Sequence, residues 1–528
     1  MTEPDVVIIG SGPAGVSAAW PLVAAGRRVL MLDAGVGTIP NPAPERPSLR
    51  NLRQDPAGWR HLLGDDLRGL RKMTDVSPKL RMIPDAAFLS RFQDGNGLEP
   101  HGFSAIGILG RGGLSNFWGA VSCAYGPEDL VGSPVGAADL APALRRVAAR
   151  IGLSGCADDD LAPSHGTDLP LQPPLPLSPL AEALLARYQR HRNHLSLRLG
   201  RNRSAVLTQP LNGRAACDRS GACMWGCARG AIYSAASEVP ELQRHANFAL
   251  RDGFVVKALS VGGRGFVIGG TDARTGLPLH LEAATVVLAA GVLPTTRLAL
   301  QCLERFDEAM PLQNCPAFAM ALAVPSWLGR PLPDPAFGMA QLAFRMPLGP
   351  EPGDFAFGLL FGADAMAAPD LTAHMPLTRP GAAGLLRSLL PTLLIGLVYL
   401  PGSYSRNQVC LKRGNERMAD RLVIDGGHSP AFDPVQRTLV RRLSRDFRRL
   451  GAYLLPGSAK PYPPGAEIHY GATLPMGART TSSGEVTGRP GLFIADASAL
   501  SRLSSKHNTF TVMANADRIG TLLAQRPT

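Results

Sequence analysis

The chain has 528 residues, 45% of them hydrophobic and 18% charged, with 54 Lys and Arg against 42 Asp and Glu for a formal charge of +12. That composition excludes a disordered protein, and the length exceeds one simple core, so two interleaved domains are expected. The basic excess is mostly Arg and is scattered along the chain, which speaks against a nucleic-acid footprint.

In chain order, a buried parallel strand is predicted at Asp5–Ile9, so the first residues read as part of the fold and not as a targeting leader. It runs into Gly10-Ser-Gly12-Pro13-Ala14-Gly15. A helix over Val16–Ala25, interrupted by Pro21, and a second strand over Arg27–Leu32 ending in Asp33 and Ala34 follow. This is the order of a dinucleotide-binding unit. Gly10 allows the tight turn, Gly12 lets the backbone approach a pyrophosphate, and Gly15 lets helix and strand pack closely. The helix N-terminus offers unpaired N–H groups to phosphate, and Asp33 can accept from both ribose hydroxyls. A further buried strand is predicted at Thr285–Ala290, before Gly291. Another, Gly491–Asp496, ends in an acid and feeds a helix from about Thr509. A nucleotide fold whose last strand and helix lie nearly 500 residues from its first favours FAD over NAD.

Between these parts, Cys217, Cys223 and Cys227 stand in a C-x5-C-x3-C pattern. Three thiolates on a glycine-containing loop suit an iron–sulfur cluster, whereas zinc normally wants a fourth ligand that is not close by in sequence. A structural role or a disulfide is the alternative. The other five cysteines (Cys123, Cys156, Cys302, Cys315 and Cys410) show no ligand spacing and are expected to be buried. Eight cysteines in so long a chain do not form a disulfide scaffold and suggest a cytoplasmic protein. No stretch reaches ~18 apolar residues. The longest candidate, Leu389–Pro401, reads as a buried core or substrate-pocket segment, with a membrane-contacting surface as the alternative. The Arg-rich run Arg437–Arg449 alternates with Leu, Val and Phe and predicts one solvated face of an amphipathic helix.

Taken together, these motifs resemble the glucose–methanol–choline oxidoreductases, FAD-dependent alcohol oxidases and dehydrogenases. The resemblance rests on Gly10–Gly15 with Asp33, Gly112-Gly113-Leu-Ser115-Asn116-Phe-Trp118-Gly119, Asn247–Lys257 with Val256, Ala289-Ala290-Gly291, His469-Tyr-Gly-Ala-Thr473, and Asp496–Arg518. It implies an α/β fold. A discontinuous Rossmann-like FAD-binding domain would be formed by 1–45, 96–165, 205–300 and 462–528. A second, α+β substrate-binding domain and cap would be formed by 46–95, 166–204 and 301–461. It implies FAD contacts at Gly10, Gly12, Pro13, Ala14, Gly15, Asp33, Ala34, Val256, Ala290, Gly291, Ala495, Asp496 and Thr509. The loop Gly112, Gly113, Ser115, Asn116, Trp118 and Gly119 would wrap the flavin edge. Some members attach FAD through a His in that loop. Phe117 stands there in this chain, so FAD is expected to be non-covalent.

Alcohol oxidation needs a base for the hydroxyl proton and an acceptor for the hydride. His469 matches the family's catalytic His, although Ala472 stands where the family usually has Gly. The second residue facing the substrate oxygen aligns with His507, or with Asn508 if the register slips by one. The cysteine spacing resembles that of bacterial sugar dehydrogenase catalytic subunits in the family, which carry a [3Fe–4S] cluster. The expected activity is oxidation of a CH–OH group in a sugar, glycoside or other alcohol, with electrons passed to a protein or quinone acceptor. An O2-using alcohol or sterol oxidase, a non-redox FAD-containing lyase and a non-catalytic flavin-binding partner are the alternatives. No nucleic-acid partner is expected, and peripheral membrane contact is open but not expected.

Overall fold

Val6–Ile9 is a strand of four buried apolar residues. It lies in the middle of a five-stranded, all-parallel sheet in the order Leu492–Ile494, Val286–Leu288, Val6–Ile9, Val29–Asp33, Phe248–Asp252. Such strands are apolar throughout because both faces of a parallel sheet are covered. The computed structural model describes residues 3–36, 47–70, 79–80, 83, 87–332, 334, 336–366, 371–372, 375, 377–415 and 419–527, so the expected 46–95 segment is described only in part.

The helix Pro13–Ala24 connects the first two strands and accommodates Pro21. It packs on the C-terminal helix Thr509–Ala524 so closely that a Cβ on Gly520 would lie 2.3 Å from the Ala18 carbonyl oxygen. The two ends of the chain therefore meet in one layer, as the motif order implies. An antiparallel three-stranded sheet, Pro278–Ala283, Gly265–Asp272 and Phe254–Gly262, stands beside it.

Two further sheets form the other half. One runs Tyr470–Gly471, Ala309–Asn314, Asn407–Lys412, Arg421–Asp425, Leu98–His101. The other runs Tyr453–Leu454, Ala317–Ala323, Leu393–Tyr399, Phe355–Gly362, Leu342–Pro347, Arg198–Arg201 and is antiparallel throughout. Leu98–His101 and Tyr470–Gly471, from segments assigned by sequence to the nucleotide side, pair with strands of the substrate side. The chain around His469 therefore bridges the two halves.

The far face of the second sheet packs on a core that includes Phe318, Leu322, Phe344, Leu394 and Val398. It is closed by helices Pro179–His191 and Phe432–Arg449. In the latter, Phe432, Gln436, Leu439, Leu443 and Phe447 are buried at three- and four-residue spacing, and the arginines stand between them. This is the amphipathic helix the Arg-rich run predicts. The apolar run from Leu389 is a short turn followed by the strand Leu393–Tyr399, hydrogen-bonded on both sides within the sheet. It is interior, which corrects the membrane-surface alternative. Among the described residues, no helix is long and apolar enough to cross a membrane.

Candidate active site

A continuous cavity of about 1550 Å³ runs from the glycine turn after the first strand to the second large sheet. Of the residues singled out by sequence, Gly10, Gly12, Pro13, Ala14, Asp33, Ala34, Gly113, Ser115, Trp118, Gly119, Val256, Ala290, Gly291, Asp496, Thr509, His469, His507 and Asn508 line it, as does Phe117. Gly15, Gly112, Asn116 and Ala495 are not in its wall, and each has a supporting place instead. A Cβ on Gly15 would fall 1.9 Å from the Gly10 carbonyl oxygen. The Gly112 N–H donates to Ser11 Oγ at 3.0 Å, and Asn116 Nδ2 donates to the carbonyls of Arg111 and Gly113. Ala495 is buried beyond the last strand of the parallel sheet.

The nucleotide end has the chemistry of a phosphate and ribose cradle. A Cβ on Gly12 would meet nothing within 4 Å, so the space above that backbone is open. Gly12 caps the helix without a side-chain cap hydrogen bond, which leaves first-turn N–H groups for an anion. Asp33 Oδ2 accepts from Ser11 N at 2.9 Å and Ser11 Oγ at 2.6 Å, and its Oδ1 accepts from Gly35 N at 2.8 Å. Asp496 accepts from Gly291 N, Thr295 Oγ1, and both N and Oγ of Ser498. Burial raises its carboxyl while these donors pull it down. Ser11 and Thr295 thus join segments far apart in sequence, and although Ser11 and Ser498 lie within the quoted motifs, none of the three was singled out.

At the other end, His469 and His507 face each other with ring centroids 4.3 Å apart and planes at 78°. Tyr399 closes the group, 5.3 Å from His469 and 4.7 Å from His507. The main chain holds His469 through its carbonyl, which accepts from Cys315 N at 2.9 Å. Tyr470, the next residue, donates its hydroxyl to the Ile106 carbonyl. Ile468 and Ala472 flank it at φ 65° and 57°. The left-handed conformation at Ala472 explains why glycine suits that position.

Burial pulls His469 down to about 4, and burial with the neighbouring His469 and His165 takes His507 well below the ordinary histidine value. Both rings are therefore neutral at pH 7, and each has a buried Nδ1 without a hydrogen-bond partner. Asn508 is the N-cap residue of the last helix, but its side chain makes no cap hydrogen bond and the residue lines the cavity. Lys506, before His507, is buried in an ion pair with Asp129 at 2.5 Å. Tyr399 and Glu467 also line the cavity. Sequence reasoning missed both. Tyr399 ends the apolar strand in an alternating register, and Glu467 lies two residues before His469, which were the only signals available.

Cys217, Cys223 and Cys227 are not in the cavity wall, although Met224 is. Each Sγ accepts a backbone N–H, from Arg219 at 3.4 Å, Gly338 at 3.4 Å and Ile232 at 3.5 Å respectively. Burial pushes Cys217 up to about 11 and Cys223 up to about 12, with the neighbouring thiols adding to both. All eight cysteines are free thiols, which removes the disulfide alternative. Among the described residues, no group of three or more His, Cys, Asp or Glu is arranged to hold a metal ion. Of the other five cysteines, Cys123, Cys302 and Cys315 are buried as expected. Cys156 and Cys410 are half-exposed; Cys410 falls on the outward register of an alternating strand.

The parallel sheet with its glycine turn and the returning C-terminal strand and helix define a Rossmann-like α/β fold, with the histidine pair set under a second sheet. No protein-family profile matches the chain. A curated relative, the fructose dehydrogenase large subunit of Gluconobacter japonicus, is 27% identical over 248 residues, 44% of this chain and 41% of that protein. The chain thus matches about two fifths of that relative's length. Pyridoxine 4-oxidase from Mesorbium loti superposes with a TM-score of 0.62 at 18% identity, covering 100% of both chains. A formate oxidase variant of Aspergillus oryzae RIB40 superposes with a TM-score of 0.62 at 13% identity, covering 99% of this chain and 98% of that one. These superpositions show that the chain shares the fold of the two oxidases over essentially its whole length.

Proposed function

We propose that the protein is an FAD-dependent oxidoreductase that converts a CH–OH group of a small molecule to a carbonyl. The observation that carries this reading is the pair of buried, neutral histidines, 4.3 Å apart, in the wall of a cavity that extends without interruption to Gly12 and Asp33. The glycine turn, Asp33, Asp496 and the first turns of the two helices would hold FAD. When bound, FAD supplies the hydride acceptor.

The chain's own residues supply the rest. His469, with Nδ1 in the protein, presents its other ring nitrogen as the base for the substrate hydroxyl proton. His507, or Asn508 beside it, fixes the substrate oxygen so that the carbinol hydrogen points one way. Apolar walls keep water from the reacting carbon. Fructose dehydrogenase activity in the relative supports an alcohol or sugar-like donor.

The test is anaerobic: protein loaded with FAD is mixed with alcohols and sugars while the flavin absorption is followed. Bleaching by a substrate, lost in His469→Ala, is the expected result. Flavin that stays oxidised while substrate is cleaved would mean a lyase.

A [3Fe–4S] cluster on Cys217, Cys223 and Cys227 is the second reading. It is supported by the cysteine spacing and by the match to a dehydrogenase large subunit, a protein named as one part of an assembly. The thiols as folded do not make a metal-holding set, so no step above passes through them. Iron and acid-labile sulfide in anaerobically purified protein would establish the cluster and an acceptor protein or quinone. Their absence in well-folded enzyme moves the reading to an oxidase or a simple dehydrogenase.

A further inference from the structure

From the histidine pair, the cavity continues along one face of the large antiparallel sheet. Alternate residues of the strand Leu393–Tyr399, namely Tyr399, Leu397, Ile395 and Leu393, face it. Their cross-strand partners continue the same face. Leu397 lies between Ala319 and Leu359, and Ile395 lies between Ala321 and Phe361. Tyr399, which touches both histidine rings, starts this row, and Leu393 ends it six residues away. At 3.3–3.4 Å per residue the row is roughly 20 Å long.

The cavity there is also lined by Met366, Leu371, Met375 and Ala383, and by Leu455, whose N–H donates to the Ala321 carbonyl at the edge of the same sheet. Among the described residues of this arm, the polar side chains are Thr372 and Ser458, with the exposed Lys460 beside it and Tyr462 at the end next to Tyr399. The Ser458 hydroxyl is already used, since it accepts from Ala321 N at 3.1 Å and donates to the Leu455 carbonyl at 2.7 Å.

A sugar presents a hydroxyl on nearly every carbon, and each one buried without a partner opposes binding. An aliphatic body loses nothing there and gains from each carbon removed from water. The sequence alone pointed to a sugar through the cysteine spacing; the arm points elsewhere.

We propose that the substrate is a long, uncharged alcohol with an apolar body, aliphatic or isoprenoid, its carbinol at His469 and its chain along Leu397, Ile395 and Leu393. This rests on the oxidoreductase reading and names its substrate class.

The experiment uses FAD-loaded enzyme, a series of primary alcohols of increasing length, an isoprenoid alcohol and a panel of hexoses, with anaerobic flavin bleaching as readout. kcat/KM is expected to rise roughly fourfold per methylene until the arm is full, with hexoses far below the long alcohols. Ala321→Phe, which fills the arm, is expected to stop that rise at shorter chains. A flat length dependence, or hexoses that outrun the alcohols, overturns the proposal.

Tertiary alcohols of the same lengths carry no carbinol hydrogen and separate binding from turnover. Dissociation constants that fall with length, read from the flavin spectrum, support the arm even where no alcohol bleaches the flavin, a result that would sink only the oxidoreductase reading. Constants that do not change with length overturn the arm whatever the chemistry.

Discussion

Asn314 Nδ2 donates to Glu467 Oε1 at 2.7 Å, while Glu467 Oε2 is buried with no partner. Asn314 is itself braced, since its Oδ1 accepts from Asn407 Nδ2 at 2.7 Å and Asn407 Oδ1 accepts from Gly427 N at 2.9 Å. A carboxylate fixed on one oxygen and bare on the other is poorly solvated, and burial pushes the Glu467 carboxyl up to about 8. The folded protein therefore holds a proton here that the unfolded chain, with its ordinary carboxyl near 4.5, releases. Stability from this group is fully present below pH 4.5 and is lost as pH rises toward 8, at up to about 1.4 kcal/mol per unit. Glu467→Gln is expected to keep the shape and flatten that slope. Thermal melts of both proteins at pH 5, 6, 7 and 8 check it, and parallel slopes would contradict it.

His469 has the opposite shift. Its folded value of about 4 lies below the ordinary 6.5, so it is neutral, and able to accept a proton, well into the acidic range. The kcat/KM profile is expected to hold its plateau below pH 6 and to fall only as pH approaches 4, instead of breaking near 6.5. His469→Gln should lower kcat by about 10²–10⁴ while leaving the flavin spectrum intact. A pH break at 6.5 in the native enzyme would assign the base elsewhere.

The two glycines of the first turn separate folding from cofactor retention. A Cβ on Gly10 would lie 2.4 Å from the Ala289 carbonyl oxygen, and the residue has φ 105°, so Gly10→Ala strains the sheet itself. A Cβ on Gly12 meets no protein atom within 4 Å. Gly12→Val is expected to melt within a few degrees of the native apoprotein yet to copurify with little or no flavin, whereas Gly10→Ala loses folded protein. The ratio of flavin to protein absorbance, with a melting curve for each variant, distinguishes them. Full flavin content in Gly12→Val would remove the pyrophosphate from this turn.

The parts of the site that local sequence order dictates were legible in advance. A strand–glycine–helix–strand–acid unit is set by local order, so the turn from Gly10 to Asp33 that lines the cavity could be read residue by residue, and the strands at Val286 and Leu492 showed by their continuous apolar runs. His469 and His507 were reached only through the resemblance, because nothing local in the sequence places two histidines 38 positions apart against each other. Tyr399 and Glu467 stayed hidden for the same reason: their roles come from sheet register and from a buried amide chain that crosses three segments. The run Leu389–Pro401 was legible as apolar but not as a strand, since an unbroken apolar run has no period to separate sheet interior from membrane surface. The cysteine triplet shows the converse, a clear spacing whose thiols neighbour one another but, among the described residues, do not make a metal-holding set.

Lys506 and Asp129 form a pair in which neither side chain is exposed. Asp129 also accepts from Ser504 Oγ at 2.6 Å and Gly126 N at 2.7 Å, and Lys506 Nζ donates to the carbonyls of Ala124 and Ser164 at 3.1 and 3.0 Å. Every donor and acceptor is matched, so the pair costs little as it stands, but breaking it leaves an uncompensated buried charge. Asp129→Asn is expected to cost about 3–5 kcal/mol, whereas at an exposed pair such as Lys412 with Asp307 the change Asp307→Asn is expected to leave the melting curve nearly unmoved. Since Lys506 immediately precedes His507, the loss should also loosen the second histidine and lower kcat in the protein that still folds. The double variant Asp129→Leu with Lys506→Met removes both charges together and is expected to recover most of the stability without recovering the activity. Denaturant titrations of the three variants beside kcat measurements decide this, and a double variant no more stable than Asp129→Asn would show that the cost lies in packing and not in charge.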